Sequence, residues 1–402
     1  MDEREPSLTG KPPISVDVLP ASGAWRPGDA PGRRRFQRIA VDRPFVLEGG
    51  GLLHDVTIAY ETWGALDASA THAVLVCHAV TGDAHAAGRA GQQEGQGWWD
   101  AVIGPGLALD TDRYFVVCAN ILGGCQGTTG PSSLDPATGQ PYGPTFPIVS
   151  IRDIVRTQAA LADHLGIAQW FSVVGGSMGG MQAIEWAVMY PDRVRSCVVI
   201  ASGASATAQQ IGYSAVQRMA ITLDPNWRGG AYYDAAPGEG PHRGLALARE
   251  IAQITYRTDE VFEQRFGRGT DGPLDTFSLW QRFDVESYLD YHGAKLVRRF
   301  DANSYLVLSK AMDLHDIGRN RGGIDRALAR VRAPMLVMSI RSDALYHPRQ
   351  QIELRDGVLA TGGSCRFAVI DSDDGHDAFL LATDQVGNAL DTFLDDVEKH
   401  NV

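Results

Sequence analysis

Seven short apolar runs punctuate the chain, at about residues 54–63, 72–77, 113–118, 170–175, 195–201, 333–340 and 366–370. Most are rich in Val, Ile, Leu or aromatic residues and read as strands, and those at 333–340 and 366–370 read as buried ones. Several are separated by stretches with helical spacing, so the expectation is a mostly parallel central sheet with helices on both faces. From about 206 to 325 strand signals fade. Amphipathic stretches such as Gly244-Leu245-Ala246-Leu247-Ala248-Arg249-Glu250-Ile251-Ala252 replace them, which predicts an inserted helical cap. Core segments 36–205 and 326–402 would flank it. The Pro/Gly-rich string 235–241 reads as a loop within the cap. Residues 1–35 carry Pro6, Pro12, Pro13, Pro20, Pro27 and Pro31 and end in Arg33-Arg34-Arg35; they read as a polar, partly disordered arm.

The most informative string is Val173-Val174-Gly175-Gly176-Ser177-Met178-Gly179-Gly180. With 45 glycines in 402 residues, a bare Gly-X-Ser-X-Gly arises by chance in roughly one such chain in four. Context decides the matter. The apolar run Trp170-Phe171-Ser172-Val173-Val174 precedes it, and a helical pattern from Met181 to Tyr190 follows and stops at Pro191. Strand, sharp turn and helix would lift the Ser177 oxygen above the sheet as a nucleophile. The glycines fit because a Cβ two residues either side of the serine would strike neighbouring backbone.

A serine needs a base, and the base needs an orienting acid. Both partners are available after later strands, in the order Ser, Asp, His. Run 333–340 leads into Arg341-Ser342-Asp343, and run 366–370 leads into Asp371-Ser372-Asp373-Asp374-Gly375-His376. Asp343 and His376 therefore sit at the carboxyl ends of their strands, beside Ser177. The other histidines beyond Ser177 are His242, His292, His315, His347 and His400. Of these, His347 is the best alternative base, weakened by sharing a loop with the acid. An oxyanion needs two backbone N–H donors. Met178, after the serine, supplies one, and Val80, in the loop after run 72–77, the other.

Composition narrows the partners. A formal charge of −12 and a pI near 5.4 disfavour nucleic acid or an anionic membrane. A polyanionic substrate would then need a local basic patch. Five scattered cysteines, mostly in apolar runs, read as reduced core residues of a cytoplasmic protein, without metal spacing. No run is long enough to span a bilayer, and no secretory signal is evident.

Taken with His78-Ala79-Val80-Thr81-Gly82-Asp83, Gly97-Trp98-Trp99-Asp100, Asn120-Ile121-Leu122-Gly123-Gly124-Cys125, Gly127-Thr128-Thr129-Gly130-Pro131, Asp301-Ala302-Asn303-Ser304-Tyr305 and Gly375-His376-Asp377, the chain resembles the homoserine O-acetyltransferases of the α/β-hydrolase superfamily. The matching strings run from about 55 to 385, and Val80 stands where that family more often has Leu. The resemblance implies an α/β-hydrolase fold and ping-pong transfer of an acetyl group from acetyl-CoA, through Ser177, to the hydroxyl of L-homoserine, in methionine biosynthesis. Acetyl-CoA would be a co-substrate, with no resident cofactor or metal. It further implies that Arg249 holds the amino acid's carboxylate and Asp377 its ammonium, that Thr81 and Tyr256 line the pocket, and that the protein is a homodimer joined through the cap. Within the family a succinyl donor or a serine acceptor stays open, and the triad by itself equally fits an ester hydrolase.

Overall fold

In a computed structural model describing Val16, residues 18–88, 95–270, Gly272 and 280–400, all seven apolar runs become strands of one eight-stranded sheet. In chain order the strands are β1 (Arg35–Ile39), a small β2/β3 hairpin (Phe45–Val46, Leu52–Leu53), β4 (Val56–Trp63), β5 (Ala73–Cys77), β6 (Phe115–Ala119), β7 (Ser172–Gly176), β8 (Cys197–Ile200), β9 (Met335–Ile340) and β10 (Cys365–Ile370). The sheet order is β1-β4-β6-β5-β7-β8-β9-β10. Pairing is parallel from β6 to β10 and antiparallel where β4 meets β6 and β1.

Successive residues of the central strands feed two different cores, as the pleat requires. Leu75, Val173, Val199 and Val337 pack with α1 (Ile151–Leu165) and α2 (Met178–Met189) on one face. Val74, Val76, Val174, Val198 and Met338 face the other side, toward Trp99 and the C-terminal helix over 383–400. This double burial is why the strands read as unbroken apolar runs.

The remaining helices are α3 (Ala208–Thr222), α4 (His242–Tyr256), α5 (Asp259–Arg265), α6 (Asp284–Val297), α7 (Ala302–Asp313), α8 (Ile324–Leu328), α9 (Pro348–Ala360), α10 (Ala378–Leu381) and α11 (Thr383–His400). Between β8 and β9 the described residues supply α3 to α8 and no strand. Their core joins Ile221, Leu245, Ala248, Leu296, Tyr305 and Leu308 to Met178, Met181 and Tyr346 of the sheet edge. The helical layer therefore packs directly over the serine turn. Residue 271 and residues 273–279 of the expected cap, and residues 1–15 and 17 of the expected arm, lie outside the described residues.

The structure departs from the sequence expectation at the arm. Ala21, Ser22 and Ala24 are buried, and the Ser22 hydroxyl donates to buried Asp301 at 2.7 Å. Gly23 explains the fit: a Cβ there would stand 2.7 Å from the backbone of Arg298 and Arg299. Small residues let this stretch lie against α7 and the segment before it. Beyond it, Arg35–Ile39 forms an edge strand with Arg35 and Arg38 exposed.

Candidate active site

Ser177 sits between the end of β7 and the start of α2 with φ 57° and ψ −124°. This is a conformation that costs a non-glycine residue roughly 1–3 kcal/mol. Its surroundings enforce it. The Ser177 amide donates to the Ile200 carbonyl at 3.0 Å, and its carbonyl accepts from Gly180 N at 2.9 Å. The flanking glycines allow the close approach: a Cβ on Gly175 would lie 2.2 Å from the Gly179 carbonyl oxygen, and one on Gly179 2.0 Å from that of Cys77. Strand β7, α2 and the end of β5 thus touch backbone to backbone, and the serine is held above them.

The loops after β9 and β10 bring the acid and the base. The Ser177 hydroxyl donates to His376 Nε2 at 2.8 Å, and His376 Nδ1 donates to Asp343 Oδ2 at 2.7 Å. Asp343 is 2% exposed, and its other oxygen accepts from Leu345 N and Tyr346 N at 2.8 and 2.7 Å. The acid's partner at Nδ1 fixes the tautomer and leaves Nε2 to accept. Burial alone would push the His376 pKa down. The charge and hydrogen bond of Asp343, with a further contribution from Asp377, outweigh it and raise the pKa above the ordinary histidine value.

His347, the alternative base, points away: its Nε2 meets Gln209 Oε1 at 3.2 Å on the surface. His242 and His315 are buried against the carbonyls of Pro20 and Gly203. Of the acids crowding the His376 loop, Asp371 and Asp373 pair with Arg341, and Asp374 pairs with Arg257 at 2.9 Å.

The two expected oxyanion donors flank the serine. Met178 opens α2, where first-turn amides have no partner within the helix. Val80 lines the same pocket as Ser177. Its loop is tied down by His78, whose Nδ1 donates to the Ala79 carbonyl at 2.7 Å and whose Nε2 accepts from Ile121 N at 3.2 Å. A buried relay joins that loop to the elbow helix. Gln182 Nε2 donates to the carbonyls of both His78 and Met178, at 3.1 and 3.2 Å, while its oxygen accepts from Gln158, which in turn accepts from Trp186.

Tyr256, from α4, lines the pocket, its ring centroid 5.8 Å from that of His376. Arg249, about two turns earlier on the same helix, lays its guanidinium carbon 5.1 Å from the Tyr256 ring centre. Asp377 follows the base and stands 3.5 Å from Arg257 Nε, an ion pair that the sequence did not suggest. Thr81 is half-buried one residue past Val80, and its carbonyl accepts from Arg299 at 2.7 Å.

Sequence reasoning missed Tyr346. Its ring stacks on His376 at 4.9 Å and 21°, and it lines the pocket beside Ser177. It also missed the polar roof of Gln210, Ser214 and Gln217 from α3 and Asp313 from α7. Only the position of Tyr346, three residues past Asp343, could have hinted at it.

A parallel sheet, a strained serine between strand and helix, and a Ser–His–Asp relay at the strand ends define the α/β-hydrolase class, and a family model described as alpha/beta hydrolase fold matches residues 72–383. A homoserine O-acetyltransferase of Thermobifida fusca is 53% identical over 377 residues, covering 94% of this chain and 97% of that protein. The chain belongs to the homoserine O-acetyltransferase family. Among solved structures, the homoserine O-acetyltransferase of Bacillus anthracis matches with a TM-score of 0.83 and 29% identity over 90% of this chain and 97% of its own. Esterase E22 matches with a TM-score of 0.83 and 30% identity over 90% of this chain and 99% of its own.

Proposed function

We propose that this protein transfers an acetyl group from acetyl-CoA to the hydroxyl of L-homoserine, in the cytoplasm, as a step toward methionine. The observation that carries the reading is the Ser177–His376–Asp343 relay at 2.8 and 2.7 Å beneath a roof of helices, in a chain half identical to proteins named for this reaction. His376 Nε2 takes the Ser177 proton as Oγ adds to the thioester carbonyl. The oxyanion is held by the amides of Val80 and Met178. Collapse breaks the C–S bond, and His376 returns its proton to the departing sulfur. Homoserine then enters, His376 deprotonates its hydroxyl as the oxygen attacks the acyl carbonyl, and collapse breaks the bond to Ser177 Oγ, which takes the proton back from His376.

Arg249 suits the carboxylate because its guanidinium offers a planar fork. Asp377 suits the ammonium while sharing its charge with Arg257; Tyr256 lines the pocket, and Thr81 adjoins it next to Val80. The relatives' names carry acetyl and homoserine, which leaves the succinyl and serine alternatives without support. Ester hydrolysis is the second reading, favoured by the likeness to esterase E22. Burial of the serine, at 7% exposed, counts against it, since water must be kept from the acyl-enzyme until the acceptor arrives. The test is CoA release from acetyl-CoA with and without homoserine. Acceptor-dependent release supports transfer; equal release without acceptor would establish hydrolysis.

A dimer through the cap fits the same reading. Ile211, Val216 and Met219 on α3, Leu223 just past its end, and Leu247 and Ile254 on one face of α4 are all exposed, with Leu223 at 74%. An apolar surface of this kind, on helices that roof the pocket, suits a second copy of the chain.

A further inference from the structure

Beside the pocket at Ser177, a wider recess of about 810 Å³ opens along the loop that follows β5. Gly82 and Asp83 form part of its wall, only two and three residues past Val80 of the serine pocket. Four cations converge on it from separate parts of the chain. Arg33 and Arg34 come from the segment before β1, Lys295 from α6 and Arg299 from just beyond that helix. Trp98 adds an aromatic wall.

The positive charge here is in excess, in a chain whose formal net charge is −12. Arg33, Arg34 and Arg299 donate only to neutral acceptors: the Thr62 carbonyl at 3.4 Å, Gln126 Oε1 at 3.1 Å and the Thr81 carbonyl at 2.7 Å. Among the described residues none of the four cations is held in a salt bridge, whereas Arg152, Arg257 and Arg321 each have a carboxylate. The recess also contains two acids. Glu61 is buried and pairs with His85 Nδ1 at 2.9 Å, while Asp83 accepts from the His85 amide at 2.9 Å and offsets part of the Arg299 charge. Four cations outnumber two acids, and an incoming polyanion relieves the repulsion among them.

We infer that this recess holds the nucleotide end of the acyl donor. Its diphosphate and 3′-phosphate meet Arg33, Arg34, Lys295 and Arg299, and its thioester arm runs past Thr81 and Val80 to Ser177. The arginine forks match phosphate oxygens in pairs, Lys295 acts as a point charge, and the Trp98 ring offers a face to the heterocycle. This assignment rests on the reading of the chain as a CoA-dependent transferase.

The experiment is calorimetric titration of the full chain with CoA and with adenosine 3′,5′-bisphosphate, over a range of sodium chloride. For the wild type, both bind competitively and the CoA affinity falls steeply as salt rises. In Arg33→Glu/Lys295→Glu both ligands bind at least about tenfold more weakly, because two cations that face phosphate become anions, while Arg33→Lys, which keeps the charge, stays within about threefold of wild type. Salt-insensitive CoA binding by the wild type, undiminished CoA binding by the charge-reversed variant, or bisphosphate that binds without displacing CoA would each overturn the assignment. The wild-type salt series needs no variant, so it decides even if a substitution impairs folding. A wild type that neither binds CoA nor is acylated by acetyl-CoA would instead defeat the transferase reading itself.

Discussion

Gly179→Ala probes the geometry on which the serine depends. A Cβ at 179 would stand 2.0 Å from the Cys77 carbonyl oxygen and 2.9 Å from its carbon. Both obstacles are backbone, so no side chain can swing aside. Relief to a normal separation takes about 1 Å of relative movement between α2 and the end of β5. Those two elements carry the two proposed oxyanion amides, Met178 on α2 and Val80 just past β5. A misplacement of that size typically costs about 100-fold in rate, and the overpacking itself costs about 1–3 kcal/mol of stability. The assay is kcat/KM for acetyl-CoA with homoserine, followed by thiol release, beside a thermal melt. Gly212→Ala is the control. Position 212 lies in α3 with open space where the Cβ would go, so alanine there adds about 0.5–1 kcal/mol of helix stability. A Gly179→Ala enzyme within about threefold of wild type would refute the argument that these backbone approaches set the oxyanion site.

Because His376 must be neutral to accept the serine proton, and Asp343 and Asp377 raise its pKa against the effect of burial, kcat/KM should climb through a limb above the ordinary histidine value. In Asp343→Asn that limb moves to lower pH while the plateau falls by about 10⁴-fold; a pH–rate profile with an unmoved limb would contradict the assignment. Arg249→Lys should raise the KM for homoserine about 10- to 100-fold, since charged hydrogen bonds are worth about 1.5–3 kcal/mol. Initial-rate kinetics that change the acetyl-CoA KM instead would remove Arg249 from the acceptor site. Asp301→Ala orphans the buried Tyr232 hydroxyl, which donates to Asp301 at 2.7 Å, and releases Ser22 and Tyr233 as well. A loss of about 2–4 kcal/mol in urea unfolding is expected. Met219→Asp/Leu223→Asp should convert a dimer to monomer in analytical ultracentrifugation, and a variant that sediments as wild type would argue against the α3 face as the interface.

The parts of the site that were legible in sequence share a cause. Strands buried on both faces read as apolar runs, and a parallel sheet puts every strand's carboxyl end on one edge, so Ser177, Asp343 and His376 could be brought together from chain order alone. What escaped depends on neighbours remote in sequence. Arg35–Ile39, Arg-Phe-Gln-Arg-Ile, is a half-exposed edge strand too polar to read as an apolar run, and its Arg-rich approach read as a partly disordered arm. Ala21 to Ala24 carry no periodicity; their burial follows from Gly23 fitting against the backbone of Arg298 and Arg299. The Gln158–Gln182 relay and the Arg257–Asp377 pair bridge separate elements. Tyr346 stacks on His376 although a helix and a strand separate them along the chain, and no local pattern encodes such a meeting.

On this mechanism Ser177 carries the acyl group between two substrates. Peptide mass spectrometry after brief exposure to acetyl-CoA measures this directly. One acetyl group should appear on the peptide containing Ser177, vanish on addition of L-homoserine with O-acetylhomoserine formed in equal amount, and be absent from Ser177→Ala. Product formed at the wild-type rate by Ser177→Ala, or label found on another residue, would contradict the account.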